Sequence, residues 1–315
     1  MGASRTLVIR VWGGARPMFE PVRPEAGHWV FGRETIEGDT AVARRHCELR
    51  QRAGKWEFTL LDAGAATAID GARAEASAPR KAWRVLRVGR SLFVPLTLDA
   101  DTPLRMTHRG GEIVGPGLHR TCEAVRAEAA AGRHLLFVGE PGCGFAILAL
   151  QVQRALGVEG RVHALRIDRG EDVPLPQRGV VLVIGGGTLA RIVEHPWVRA
   201  AFGRPELRVC IGLRRRNRSE AYELPQGFES KLARIDVPDL DGRAEEIPWW
   251  IRRALRDVQP AVSVDVSLVE ACLLRAWARG IDGLVDEVRA AADRARRAGR
   301  AEVLGADLAD ALSAA

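Results

Sequence analysis

Residues 134–150, HLLFVGEPGCGFAILAL, decide the fold of the second half of the chain. An apolar strand, a glycine-rich turn and an apolar helix follow one another, which is the layout of a phosphate-binding loop. In that motif the second glycine is followed by Lys and then by Ser or Thr. Gly139 and Gly144 have the required spacing, but Phe145 and Ala146 stand where the lysine and the hydroxyl belong. The stretch is therefore either a nucleotide site that has lost its chemistry or a chance turn in an α/β fold.

The turn remains a candidate anion site because of its backbone. Amides at a helix N-terminus attract anions whatever the side chains are. Losing two charge-assisted contacts weakens nucleotide affinity by about 10² to 10⁴. We therefore predict no cofactor beyond weak ATP binding. The candidate residues of this degenerate site are Gly139, Glu140, Pro141, Gly142, Cys143 and Gly144.

Composition describes a soluble globular protein of ordinary size. The 315 residues are enough for two domains, and 47% are hydrophobic while 28% are charged. No apolar run reaches the length of a membrane span, and the N-terminus reads as a strand and not as a signal peptide. The five cysteines are scattered without metal-ligand spacing. We expect a cytoplasmic protein with no metal and no membrane partner.

Positive charge is concentrated in the N-terminal part. Residues 1–100 carry 16 Lys and Arg against 11 Asp and Glu, whereas the whole chain carries 47 against 40. The surplus favours an anionic ligand for this part, and a solvated basic surface is the alternative.

Hydrophobic periodicity divides the chain. Short strands between turn signals fill the first 98 residues and predict an all-β sandwich. From residue 117, continuous apolar strands alternate with helices and predict a parallel sheet that is covered on both faces. After residue 243 the pattern is helical. The predicted order is a sandwich (1–98), a linker (99–116), an α/β core (117–242) and a helical lid (243–315).

The N-terminal part resembles the forkhead-associated (FHA) family, whose β-sandwich binds phosphothreonine peptides. The matching residues are GR at 32–33, ARRH at 43–46, Trp56, and DAGAATAIDG at 62–71. The resemblance implies that Arg33 holds phosphate and that His46 ties loops together. Arg33, Arg44 and Arg45 are the candidate residues for a phosphopeptide.

Two positions depart from the FHA pattern. Ala43 replaces the family's phosphate-binding Ser, and no Asn precedes Thr67 in the shortened loop. The alternative is therefore a domain that recognises an unphosphorylated partner or only packs.

The second half resembles the AAA+ domain of sigma-54-dependent transcription activators. The matching stretches are EIVGPGLHRTCEAVRAEAAAGRHLLFVGEPGCG at 112–144, LPQGFESKLARIDVPDLDGRAEEIPWWIRRAL at 224–255 and GIDGLVDEVRAAADRA at 280–295. The resemblance implies a P-loop ATPase core with a helical lid.

The family's catalytic side chains are replaced throughout. ATP hydrolysis needs a Lys, a hydroxyl, a strand-end Asp for Mg²⁺ and a Glu that orients water. The replacements are Phe145 and Ala146 in the loop, Gly185 and Gly186 after the next motif's strand, Leu213 and Arg214 at the sensor strand, Glu229 at the finger and Asp286 in the lid. We predict a pseudo-ATPase with no catalytic residue.

Two further family features are missing from the sequence. LRIDRGEDVPLPQRG at 165–179 lacks the family's sigma-54-contacting loop, and LGADLADALSAA at 304–315 ends the chain without a helix-turn-helix. RRRNR at 214–218 is interpreted as a solvated loop, since no aromatic platform accompanies it. No DNA-binding domain is expected.

These features favour a bacterial signalling or transcription-regulatory adaptor. Its partner would be a protein, with a phosphothreonine protein as the candidate. One alternative is a sigma-54-type activator that still binds ATP and regulates transcription. Another is a partner that co-assembles with active AAA+ relatives and regulates their ring.

Overall fold

The structure is a computed structural model of the 315-residue chain. It describes residues 4–24, 28–37, 39–52, 55–62, 66–74, 78–80, 82–109, 111–167, 174–185, 188–215, 231–258 and 261–309.

Two antiparallel sheets make up the N-terminal part. One sheet has the order β2-β1-β10-β9-β6-β7 and the other has the order β3-β4-β5-β8. The strands are β1 (Ser4–Gly13), β2 (Arg16–Val22), β3 (His28–Phe31), β4 (Cys47–Arg52), β5 (Lys55–Leu60), β6 (Thr67–Ile69), β7 (Ala72–Arg73), β8 (Ala78–Arg80), β9 (Leu86–Val88) and β10 (Ser91–Asp99).

Side chains from both sheets form one hydrophobic core. Phe31 of β3 meets Phe93 of β10 edge to face at 4.8 Å between ring centroids. Trp56 lies 5.3 Å from Trp29 and 5.5 Å from Trp83. Such aromatic pairs contribute about 0.5–1.5 kcal/mol each beyond the area they bury. The prediction of a β-structured N-terminal part is confirmed.

The remaining elements begin with a hairpin in the segment expected to be a linker. They are β11 (Thr107–Arg109), β12 (Glu112–Val114), α1 (Pro116–Ala130), β13 (His134–Gly139), α2 (Phe145–Ala155), β14 (His163–Arg166), β15 (Gly179–Gly185), α3 (Leu189–Glu194), α4 (Pro196–Phe202), β16 (Leu207–Arg214), β17 (Leu232–Asp236), a 3-10 helix (Asp241–Glu246), α5 (Ile247–Leu255), β18 (Ser263–Val264), α6 (Val266–Leu274), α7 (Gly280–Arg297), β19 (Glu302–Val303) and a second 3-10 helix (Gly305–Asp307).

The central sheet is parallel, as predicted. Its order is β14-β15-β16-β13-β17, and every pairing in it is parallel. Alternate residues of β13 point to opposite faces: Leu136 and Val138 pack in the cluster that contains α3 and α4, whereas Phe137 stacks on Phe145 of α2. Helices therefore cover both faces, and the glycine turn after β13 lies at the sheet's carboxyl edge.

The chain divides into two compact units. One unit contains residues 1–117, 243–277 and 282–315, and the other contains residues 118–242 and 278–281. The helical segment from residue 243 thus belongs mostly with the β-sheets. The expectation that this segment is entirely helical is wrong, because β18 and β19 pair in parallel within it.

Two adjacent glutamates are buried where α1 begins. Glu246 Oε1 accepts the Gly115 N–H at 2.8 Å, and Glu245 Oε1 accepts the Gly117 N–H at 2.9 Å. Arg243, also fully buried, lies 3.2 Å from Glu246 Oε2. Carboxylates at a helix N-terminus satisfy its unpaired amides and its dipole. Only one cation is adjacent, and Glu245 Oε2 is buried without a hydrogen-bond partner among the described residues.

The buried pair predicts a pH-dependent stability. Burial, and then the neighbouring Glu246 carboxylate, raise the pKa of Glu245 to about 7 from an ordinary value of 4.5. The folded chain therefore binds this proton more tightly than the unfolded chain, and its contribution to stability falls as the pH rises from about 4.5 to about 7. We expect Glu245→Gln to flatten this part of the pH profile, measured by denaturant unfolding at pH 5 and pH 8. Glu159→Gln, at an exposed site, is the control; an unchanged profile in Glu245→Gln would contradict the assignment.

Candidate functional site

The three candidate arginines lie in the loop that joins β3 to β4. A Cβ on Gly32 would lie 2.1 Å from the Arg44 carbonyl oxygen, so the loop passes directly over this glycine. The Arg33 N–H donates to the Ala43 carbonyl at 3.0 Å. The fold therefore brings the GR segment and the ARRH segment side by side, and we refer to residues 32–46 as the arginine loop.

The arginine side chains are exposed. Arg33 Nε donates to the Val42 carbonyl at 3.3 Å, which anchors the side chain to its own loop. Arg44 Nε lies 3.7 Å from Glu34 Oε1, and both side chains are more than 80% exposed. Ion pairs this exposed contribute little to stability, so a ligand phosphate can replace Glu34 at small cost. Arg45 makes no hydrogen bond or ion pair with the described residues.

His46 holds the arginine loop to the start of β6. Its ring is buried, with Nδ1 accepting the Ala43 N–H at 3.2 Å and Nε2 lying 2.8 Å from Thr67 Oγ1. Because Nδ1 accepts, Nε2 carries the proton and donates to Thr67. Burial lowers the pKa of His46, which favours the neutral ring. These contacts match the loop-tying role that the sequence implies. The shortened loop at 63–65 lies outside the described residues.

The predicted phosphate loop is a compact turn between β13 and α2. Gly142 and Gly144 have positive φ values of 72° and 99°, which L side chains rarely adopt. A Cβ on Gly139 would lie 2.7 Å from the buried Cys143 Sγ. Glu140 and Pro141 are partly exposed. Glycine is thus required by backbone conformation and by packing, independently of any ligand.

Phe145, the first residue of α2, points into the protein. Its side chain is 7% exposed, and its ring stacks on Phe137 at 6.3 Å with an interplanar angle of 22°. A Cβ on Gly212 of β16 would lie 2.5 Å from Phe145 Cδ2. The side chain at the lysine position is therefore part of the hydrophobic core. Ala146, at the hydroxyl position, is exposed.

Residues 280–281 contact the phosphate loop. The Ile281 N–H donates to the Gly142 carbonyl at 2.9 Å. A Cβ on Gly280 would lie 2.6 Å from the same carbonyl oxygen, and one on Gly144 would lie 3.5 Å from Ile281 Cδ1. The first turn of α7 is thus seated on the turn that would face a nucleotide.

The other degenerate positions are dispersed or not described. Gly185 ends β15, Leu213 is buried in β16, and Asp286 lies in α7. Gly186 and Glu229 lie outside the described residues, as do residues 216–218 of the basic run and residues 168–173 of the interval without the sigma-54 loop.

An ion-pair cluster beside the loop includes Arg215, which belongs to the basic run at 214–218 that was interpreted as a solvated loop. The backbone N–H of Arg215 donates to the Gly139 carbonyl at 2.8 Å, and the Arg215 side chain pairs with Asp236 at the end of β17. Arg234 lies 3.0 Å from the same carboxylate. Asp236 is thus already engaged by two arginines, and no sequence motif marks these three residues as neighbours.

Neither a metal-binding cluster nor a membrane-spanning helix is present among the described residues. No group of three His, Cys, Asp or Glu side chains there is arranged to hold a metal ion. No helix in the same part of the chain is long and apolar enough to cross a membrane.

Comparison with known proteins gives distant structural likenesses. No family model and no curated protein matches the chain. NtrX from Brucella abortus in complex with ADP is similar with a TM-score of 0.46 and 11% identity, over 63% of this chain and 54% of NtrX. This chain therefore spans about half the length of NtrX.

Two further solved structures are similar. The FHA domain of the CT664 protein from Chlamydia trachomatis has a TM-score of 0.25 and 15% identity, over 29% of this chain and 95% of that domain. A Thermotoga maritima RuvB variant has a TM-score of 0.41 and 14% identity, over 60% of this chain and 65% of RuvB. At these values the likenesses assign neither a family nor a function to the chain.

Proposed function

We propose that the protein is a bacterial signalling or transcription-regulatory adaptor. In this proposal an FHA-like module is joined to an AAA+ pseudo-ATPase that neither hydrolyses ATP nor binds DNA. The observation that carries it is the position of Phe145, which is buried against Gly212 and Phe137 where a phosphate loop needs its lysine. A fold that has lost its catalytic groups still offers a surface for protein contacts.

Loss of hydrolysis follows from the groups that the reaction needs. The lysine and the Mg²⁺-binding hydroxyl would come from the positions of Phe145 and Ala146, and neither side chain has a polar atom. The metal-binding Asp would follow β15, which ends instead at Gly185. Positioning and charge neutralisation supply nearly all of the rate in phosphoryl transfer, so losing these groups together removes turnover.

Calorimetric titration with Mg²⁺–ATP tests the pseudo-ATPase part. We expect no saturable heat in the native protein up to millimolar ATP and no phosphate release. Phe145→Ala opens the space beneath the loop but supplies no charge, so it should bind no more tightly than millimolar. Ala146→Thr, at an exposed position, is the matched control for folding. Saturable binding at micromolar ATP, or turnover by the native protein, would contradict the proposal and favour an activator that still uses ATP.

The arginine loop is the part that we propose recognises a partner. Arg33, Arg44 and Arg45 are three exposed arginines from neighbouring segments of one loop. Guanidinium groups bind phosphate in paired, charge-assisted hydrogen bonds, which makes such a cluster suited to a phosphorylated peptide. Neutral His46 and Thr67 hold the loop in place without adding charge.

A phosphothreonine peptide library tests the arginine loop. We expect a binder whose affinity falls by about 10- to 150-fold in Arg33→Ala, because a hydrogen bond to a charged group contributes about 1.5–3 kcal/mol. Arg16→Ala removes an exposed arginine from the β1–β2 hairpin and should change affinity little. If the library yields only binders that ignore phosphorylation, the loop serves an unphosphorylated partner and the phosphopeptide part of the proposal fails.

A further inference from the structure

Two arginines that flank or lie in β9 contact α6, Arg87 at the middle of the helix and Arg84 at its C-terminal end. Arg87 Nη1 lies 2.8 Å from Glu270 Oε2. Arg84 donates from Nη1 to the Leu274 carbonyl at 3.0 Å and from Nη2 to the Leu273 carbonyl at 3.3 Å. We refer to Arg84 and Arg87 with these three partners as the arginine clamp.

Each contact in the clamp satisfies an unpaired polar or charged group of α6. The last carbonyls of an α-helix have no partner within the helix, and a cation at this end also interacts favourably with the helix dipole. Arg84 supplies both the hydrogen-bond donors for these carbonyls and the positive charge. Glu270 is a carboxylate whose side chain is only 7% exposed, and burial raises its pKa while Arg87 opposes that shift. Glu270 Oε1 has no hydrogen-bond partner in the described chain, so its charge depends on Arg87.

The position of Arg84 is fixed by contacts within the β-sheet part of the chain, which do not involve α6. Asp70 Oδ1 accepts the N–H of Arg84 at 2.7 Å and that of Val85 at 3.0 Å. Asp70 and Gly71 both have positive φ, at 52° and 79°. A Cβ on Gly71 would lie 3.2 Å from Leu274 Cδ1, so this turn fits closely against the end of α6.

The clamp and the arginine loop lie at opposite ends of β6. His46 contacts Thr67 at the start of this three-residue strand, and the Asp70–Gly71 turn follows its end. The two surfaces therefore use different residues.

We propose that the clamp holds α6 permanently against the N-terminal β-sheets. Through it the β-sheets and α6 behave as one cooperative body, and the helical segment is not a lid that opens independently of the sheets. This proposal goes beyond the proposed function, since it holds whether or not the arginine loop binds phosphate.

Native-state hydrogen exchange on the full-length chain tests the clamp. In the unmodified protein the slowest amides of α6 and of β6 and β9 should exchange with the same protection and the same denaturant dependence. Arg87→Ala should accelerate exchange at least about 10-fold in all three elements by a common factor. The matched control is Arg73→Ala, an exposed arginine on β7, which should leave these rates unchanged.

A second variant keeps the test decisive if Arg87→Ala does not fold. Glu270→Gln keeps the shape of the side chain while removing its charge, and it should also accelerate the three elements together. Acceleration confined to α6, or no acceleration in either variant, would overturn the proposal. Either result would mean that α6 contacts the sheets but unfolds independently of them.

Discussion

The contact between the Phe145 ring and Gly212 is the constraint on which the second half of the structure depends. Gly212 has no side chain, which leaves room for an aromatic ring on the face of the parallel sheet, and Phe137 stacks on that ring from β13. The ring anchors the first turn of α2 and so fixes the turn at 139–144. In that turn the Gly142 carbonyl accepts a hydrogen bond from the Ile281 N–H. The turn is thus stabilised by the packing of the Phe145 ring and by backbone hydrogen bonds from Ile281 and Arg215.

In the unit that contains residues 1–117, 243–277 and 282–315, some charged side chains bind other parts of the chain and others are exposed. Buried Glu245 and Glu246 cap the start of α1, and Arg84 and Arg87 bind α6, so these four side chains join segments that are far apart in sequence. Arg243 and Glu246 are both fully buried, and removing one member of a buried ion pair leaves the other charge unpaired at a cost of about 3–5 kcal/mol. The arginine loop differs, because its guanidinium groups are exposed and therefore open to a partner.

Much of the fold could be predicted from the sequence, but the contacts between distant segments could not. Continuous apolar runs and glycine turns revealed the parallel sheet and the loop before α2. Strand β2 contains Pro17 and Pro21, which are unusual within a strand, and both are tolerated because β2 lies at the sheet edge. The link between Arg87 and Glu270 joins residues 183 positions apart, and neither residue has a local signal. The burial of Glu245 was equally hidden, since adjacent acids are usually exposed.

A double-mutant cycle on Gly212 and Phe145 tests the central claim most directly, namely that the ring of Phe145 fills the space over the sheet. With Phe145 present, Gly212→Ala should lower the free energy of unfolding by about 1–3 kcal/mol, because the added methyl group meets the ring. In the Phe145→Ala background the same change should cost little, which gives a coupling free energy of about 1 kcal/mol or more. An equal cost of Gly212→Ala in both backgrounds would show that the ring does not occupy this space and would contradict the account.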